Sequence, residues 1–160
     1  MSAERPQRRS LDGRGLRIAV VCSRFNLEIT DSLLAAARRT LQELGVGEDG
    51  IAAEPVPGAF ELPLVAQHFA RSGAFDAVIA LGAVIRGETG HYELVAQAAA
   101  SGIARVALDT GVPVIFGLLA ADTPEQARAR SGGALGNRGE DAAVAAVEMA
   151  LLMRRLGREG

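Results

Sequence analysis

Four short apolar runs, each followed by a stretch with helical character, constrain this chain more than any other feature. The runs are LRIAVVCS (16–23), IAAEPVPG (51–58), AFDAVIALGAVI (74–85) and VPVIFGLLA (112–120). They read as continuous rather than alternating apolar sequence, which is what a strand covered on both faces requires. Between and after them lie LLAAARRTLQELG (33–45), FELPLVAQHFARSG (60–73), HYELVAQAAASGIARVALDTG (91–111), TPEQARARSG (123–132) and GEDAAVAAVEMALLMRRLG (139–157). Thr30, Asp31 or Ser32 is the expected cap of the first helix, and Gly45 its stop. Pro63 is tolerated in the first turn of the second. Thr123, Pro124 and Gln126 spell a capping box. Strands alternating with helices predict parallel pairing through right-handed crossovers. The expected fold class is therefore α/β: a three-layer, doubly wound, flavodoxin-like domain on a four-stranded parallel sheet. It should span 15–160, after a polar, aperiodic and flexible segment at 1–14.

Composition narrows the function by exclusion. The chain has 160 residues, enough for one sizeable core, and a formal net charge of -2, which gives no electrostatic case for nucleic acid. Charged or polar residues interrupt every apolar stretch before membrane-spanning length, so no membrane association is expected. The basic N-terminus lacks an apolar core and is not a secretory signal, which leaves the cytoplasm as the simplest location. A single cysteine, Cys22, and two histidines, His68 and His91, make a metal cluster improbable, so no metal site is predicted. Cys22 sits in a strand and His68 in mid-helix, and both read as structural.

In a parallel sheet, ligands collect beyond the carboxyl ends of the strands. Ser23 to Asn26 follow the first strand, Pro57 to Glu61 the second, Arg86 to His91 the third, and Phe116, Gly117, Asp122 and Thr123 lie at or beyond the fourth. These loops predict a site for a flat polar molecule and an anion. In RGETGH (86–91), Gly87 and Gly90 let backbone N–H groups face a ligand at a helix start, where an anion is favoured. Thr89 adds a hydroxyl. His91 falls in the first helical turn, where the dipole disfavours the imidazolium and suits a general base. A glycine turn with a capping threonine and a solvated histidine explains the same residues equally well.

The motifs taken together are more specific. SRFN (23–26), VPGAFELP (56–63), LGAVIRGETGHYELV (81–95), GVPVIFGLL (111–119), TPEQARARSG (123–132) and GNRGEDAAVAAVEMA (136–150) occur in that order. Across about 16–156 the chain resembles the 6,7-dimethyl-8-ribityllumazine synthase family. The resemblance implies a transferase of riboflavin biosynthesis. It condenses 5-amino-6-(D-ribitylamino)uracil with 3,4-dihydroxy-2-butanone 4-phosphate and uses no cofactor. It further implies that Phe25 stacks on the pyrimidine, that Ala59, Phe60 and Glu61 meet the ribityl chain, and that Val84 and Ile85 offer backbone groups. Gly87, Glu88, Thr89 and Gly90 would hold phosphate with Arg130, whose neighbour Arg128 is the solvated alternative, and His91 would move protons. Phe116, Arg130, Arg138 and Asp141 would come from an adjacent subunit.

The chain departs from the family pattern in places. Gly90 stands where a larger residue is common, Arg138 where Lys is frequent, Ala120 and Ala121 where a Thr pair is usual, and Gln97 and Ala98 where Asn-Glu is frequent. The helices at 91–111 and 139–157 are apolar on too many faces for one small domain, which predicts that their spare faces bury against other subunits. The resemblance implies a homopentamer. The short segment SGGALGNRG (131–139) points to a sixty-subunit shell of pentamers, with riboflavin synthase as a further partner. A binding or shell-forming paralogue without turnover is the alternative.

Overall fold

The computed structural model describes residues 11–159. Strands β1 (Ile18–Ser23), β2 (Ile51–Val56), β3 (Ala77–Ile85) and β4 (Val114–Ala121) form one parallel sheet in the order β2-β1-β3-β4. Its α/β class and doubly wound plan are those expected from the alternation of apolar runs. Chain order reverses between β1 and β3, so the switch point lies between their carboxyl ends.

Helices α1 (Leu27–Glu43) and α5 (Arg138–Glu159) cover one face of the sheet, and α2 (Leu62–Arg71) and α3 (His91–Thr110) the other. Side-chain alternation along β1 divides the core accordingly. Ile18, Val20 and Cys22 pack with Leu33, Leu41 and Val147 on the α1/α5 side. Ala19 and Val21 pack with Leu62, Ala66 and Ile103 on the other. Leu33, Leu41 and Leu62 are fully buried, each worth on the order of 2 kcal/mol of transfer free energy. Every residue of β1 is buried, whereas the edge strand β2 exposes Glu54 and Pro55. An edge is where a strand tolerates a proline.

Three expectations are corrected. First, α1 begins at Leu27, so Thr30, Asp31 and Ser32 lie inside it. Its cap is Asn26, in the left-handed region at φ 64°, a conformation that asparagine tolerates better than most residues. Asn26 is held there by its Nδ2, which donates to the Ala83 carbonyl at 3.2 Å, a tertiary bond with no local sequence signal. Second, helix α4 covers only Pro124–Ala129, and half of its capping box forms as expected. Gln126 N–H donates to Thr123 Oγ1 at 3.2 Å, but Gln126 Oε1 accepts from Asp122 N–H at 2.9 Å instead of from Thr123. Third, the segment after α4 is a two-stranded antiparallel hairpin, β5 (Ser131–Gly133) and β6 (Gly136–Asn137). It is anchored to α1 by Ser32 Oγ donating to the Ser131 carbonyl at 2.5 Å.

In α5, the apolar side chains next to α1 and the sheet are buried from within the chain, while Met153 and Leu156 are 40% and 48% exposed. Ala142, Ala143, Val144, Ala146, Val147 and Ala150 are all buried within the chain. The helix is wedged between α1 and strands β3 and β4. Small residues permit that depth: a Cβ on Gly139 would overlap the Leu33 carbonyl. α3 buries Ala99, Ile103 and Val106 and leaves Leu94 and Leu108 70% and 85% exposed.

Most of the flexible segment expected at 1–14 lies outside the described residues. Within its last part, Gly13 is buried and its N–H donates to the Leu44 carbonyl at 2.7 Å. Among the described residues no helix is long and apolar enough to cross a membrane.

Candidate active site

A cleft of about 560 Å³ opens at the switch point. Each wall comes from the end of a strand. Beyond β1 stand Phe25 and Asn26. Beyond β2, Gly58 leads into a single 3-10 turn, Ala59–Glu61, that presents Phe60 and Glu61. The end of β3 supplies Ala83, Val84 and Ile85, and the first turns of α3 supply His91, Leu94 and Val95. Seven of the residues singled out from sequence therefore meet in one cavity: Phe25, Ala59, Phe60, Glu61, Val84, Ile85 and His91. Phe25, Phe60 and Leu94 are 69%, 66% and 70% exposed. Three large apolar side chains left open around one concavity make this cleft the candidate ligand surface. Glu61 and His91 are the ionisable groups on this wall.

Asn26, Gly58, Ala83, Leu94 and Val95 also line the cleft and were not among the predicted site residues. Asn26 and Gly58 lie in loops that follow strands and so had a readable signal. Ala83, Leu94 and Val95 are apolar and become visible only once the sheet is assembled.

The loop Gly87–Gly90 continues from the cleft rim and is exposed throughout. Thr89 Oγ1 accepts from the His91 N–H at 3.3 Å, so the threonine fastens the start of α3. Gly90 has φ -72° and ψ 4°, and a Cβ on either Gly87 or Gly90 would meet nothing within 4 Å. The loop is open to a ligand, and neither glycine is required by strain or crowding.

A second group of predicted residues lies elsewhere in the chain, outside the residues that line the cleft. Arg130 caps α4, and its carbonyl accepts from the Arg138 N–H at 2.8 Å across the base of the β5–β6 hairpin. The hairpin thus places two guanidinium-bearing residues eight positions apart side by side. Burial lowers the pKa of Arg138; the charge of Asp141 opposes that shift and the charge of Arg130 adds to it. Arg130, Arg138 and Asp141 are therefore one electrostatic cluster. Arg128 is not part of it: its guanidinium pairs with Glu28 at 3.4 Å and Glu125 at 3.7 Å. Phe116 lies in β4 and is 39% exposed. Among the described residues no group of three or more His, Cys, Asp or Glu side chains is arranged to hold a metal.

The chain thus carries two groups of candidate residues. One lines an apolar cleft with a carboxylate, a histidine and a glycine-bounded helix start. The other is a basic pair beside an aspartate. The sequence model of the 6,7-dimethyl-8-ribityllumazine synthase family matches residues 15–154, a span that contains both groups, and the chain belongs to that family.

Proposed function

We propose that the chain is a working lumazine synthase and that its cleft takes 5-amino-6-(D-ribitylamino)uracil. The observation that carries this reading is the convergence of Phe25, Phe60, Glu61 and His91 on one cavity at the switch point. A flat ring needs an aromatic face, which Phe25 offers. A polyol needs an acceptor, which Glu61 offers beside Ala59 and Phe60. Val84 and Ile85, at the open end of β3, bring main-chain groups to the ring edge. Gly87, Glu88, Thr89 and Gly90 precede α3 and are exposed, and N–H groups at a helix start suit a phosphate.

In this reading the 5-amino group attacks the ketone of 3,4-dihydroxy-2-butanone 4-phosphate, and water leaves as the imine forms. Loss of a proton beside the imine expels phosphate. The enol so formed takes a proton on its terminal carbon and becomes a ketone; the ribityl-bearing nitrogen attacks that carbonyl, which closes the second ring, and water leaves again. His91, on the cleft wall next to the phosphate loop, carries the protons in these steps. Arg130, Arg138, Asp141 and Phe116 do not line the cleft within one chain; in this reading they complete it from an adjacent subunit, as the resemblance to the family implies. A guanidinium fork is well matched to phosphate, which gives Arg130 its role.

Exposed Leu108 on α3 and Leu64 on α2 support association of this chain with itself. The reading takes the assembly as a homopentamer and, with only a tight hairpin between α4 and α5, as a sixty-subunit shell. It places the enzyme in the cytoplasm, handing its product to riboflavin synthase.

The test is direct. Purified protein is mixed with both substrates, and lumazine absorbance and phosphate release are followed together. Both should rise in step and above the uncatalysed rate; no excess over that rate refutes the activity. Electron microscopy of the same sample should show hollow shells, and isolated pentamers alone would refute the shell.

A further inference from the structure

We propose that Arg86 is a positioning residue that holds the phosphate loop, and with it His91, in place; the inference rests on the lumazine synthase reading of the cleft. Arg86 leaves the end of the sheet, where its N–H donates to the Ala121 carbonyl at 2.9 Å. Its guanidinium then makes three contacts. Nε donates to Asp122 Oδ1 at 2.8 Å, Nη1 donates to Glu93 Oε1 at 3.2 Å, and Cζ lies 4.8 Å from the centre of the Tyr92 ring. Tyr92 and Glu93 immediately follow His91 in the first turn of α3. Asp122 heads α4, and its own N–H is fixed by Gln126 Oε1 at 2.9 Å. One side chain therefore ties the start of α3 to the start of α4.

What lies between the tied points gives the clamp its purpose. Gly87 to Gly90 are exposed, and a Cβ at Gly87 or Gly90 would touch nothing within 4 Å. The loop's own restraints are two long bonds, His91 N–H to Thr89 Oγ1 at 3.3 Å and Leu94 N–H to the Gly90 carbonyl at 3.4 Å. A segment with so little packing takes its geometry from its ends. The pairs of Arg86 are half-exposed, and such pairs contribute little to global stability. Their removal should leave the fold intact and loosen the loop alone. The guanidinium is also engaged by two carboxylates, which raises its pKa, Asp122 more than Glu93. It is thus occupied within the protein rather than offered to a ligand.

The experiment compares R86M, D122N, the double variant and R86K in the full-length assembled protein. Steady-state rates give KM for each substrate, and hydrogen exchange reads the amides of 87–91. R86M and D122N should each raise KM for the phosphate substrate about tenfold, as misplacement of a binding loop does. KM for the pyrimidine should barely move. The double variant should be no worse than R86M, and R86K should recover part of the loss. Exchange at 87–91 should quicken in R86M. If Arg86 were itself a phosphate ligand, D122N would release it and lower that KM; this result, unchanged KM in R86M, or additive losses overturn the proposal. A wild type that forms no lumazine refutes the activity instead, while unaltered exchange in R86M refutes the clamp on its own.

Discussion

Phe25 rests against Gly58: a Cβ built on that glycine would stand 3.1 Å from Phe25 Cδ2 and 3.4 Å from Cε2, with Glu61 Oε1 at 3.8 Å. Gly58 is extended, at φ -149° and ψ 179°, a conformation open to any residue. The glycine is needed for the room it leaves the ring. Through that contact the loop beyond β1 and the 3-10 turn beyond β2 set each other's position, and the aromatic wall of the cleft is built from both.

Alanine at Gly58 should therefore shift the Phe25 ring by a few tenths of an ångström without disturbing the core, because the ring is largely exposed. The expected outcome for G58A is a KM for the pyrimidine substrate raised a few-fold, with KM for the phosphate substrate and the thermal midpoint nearly unchanged. Phe25→Ala removes the platform itself and should cost roughly ten- to a hundredfold on the pyrimidine, the scale of base–aromatic stacking. Equal losses on both substrates in G58A would remove Phe25 from the pyrimidine subsite.

How much of this was legible in the sequence depended on whether the cause was local. β1 and β3 announce themselves because central strands buried on both faces can only be apolar. The ends of the strands, and hence the cleft residues after them, follow from that reading. The start of α1 was misplaced because Asn26 is fixed by Ala83, which lies far away in sequence. The hairpin at 131–137 reads as a glycine-rich turn, since its anchor is Ser32 in another helix. α1 and the sheet enclose part of the apolar surface of α5 and leave Met153 and Leu156 exposed, a division that the helix's own sequence does not show. Arg86 bridges to Asp122, 36 positions away, a pairing that no local motif encodes.

Removing Arg130 should separate the two substrates. Arg130→Ala deletes a guanidinium that lies beside Arg138 in the basic cluster. A hydrogen bond to a charged group is worth about 1.5–3 kcal/mol, so KM for the phosphate substrate should rise about ten- to a hundredfold. The pyrimidine should be affected much less. Arg128→Ala is the companion variant: its side chain is already paired with Glu28 and Glu125, and it should change neither KM by more than about twofold. Equal losses for both substrates in R130A would refute the phosphate assignment.

Cys22 gives the fold an alkaline limit. Burial, and secondarily the charge of Asp31, push its thiol from the ordinary 9.0 up to about 11, against a smaller lowering by its hydrogen bond to Thr30. The folded-state pKa is raised, so the folded chain keeps the proton after the unfolded chain has released it. The contribution is fully present below pH 9 and is lost as pH rises from about 9 to about 11, up to roughly 2–3 kcal/mol. Cys22→Ala should lower stability at pH 8 by opening space in the core, yet lose less between pH 8 and pH 11 than the wild type does. Thermal midpoints of both proteins at the two pH values measure this difference. Parallel losses would show that the thiol does not ionise on unfolding.

Gly90 stands just before His91, where the resemblance to the family leads one to expect a larger residue, and its geometry says what filling it would do. Its φ of -72° and ψ of 4° are accessible to other residues, and a Cβ there meets nothing within 4 Å. Thr at this position therefore brings no clash and no strain. It narrows the conformations of the unfolded chain, a gain of about 0.4–1 kcal/mol when the native geometry suits the new residue. The gain is local to the start of α3, because Gly90 offers its carbonyl to the Leu94 N–H in the first turn. Gly90→Thr should thus slow hydrogen exchange at 87–94 and raise the thermal midpoint slightly, with lumazine formation retained. A fall in stability, or loss of turnover with the fold intact, would mean that the loop before His91 must move through conformations that only glycine permits.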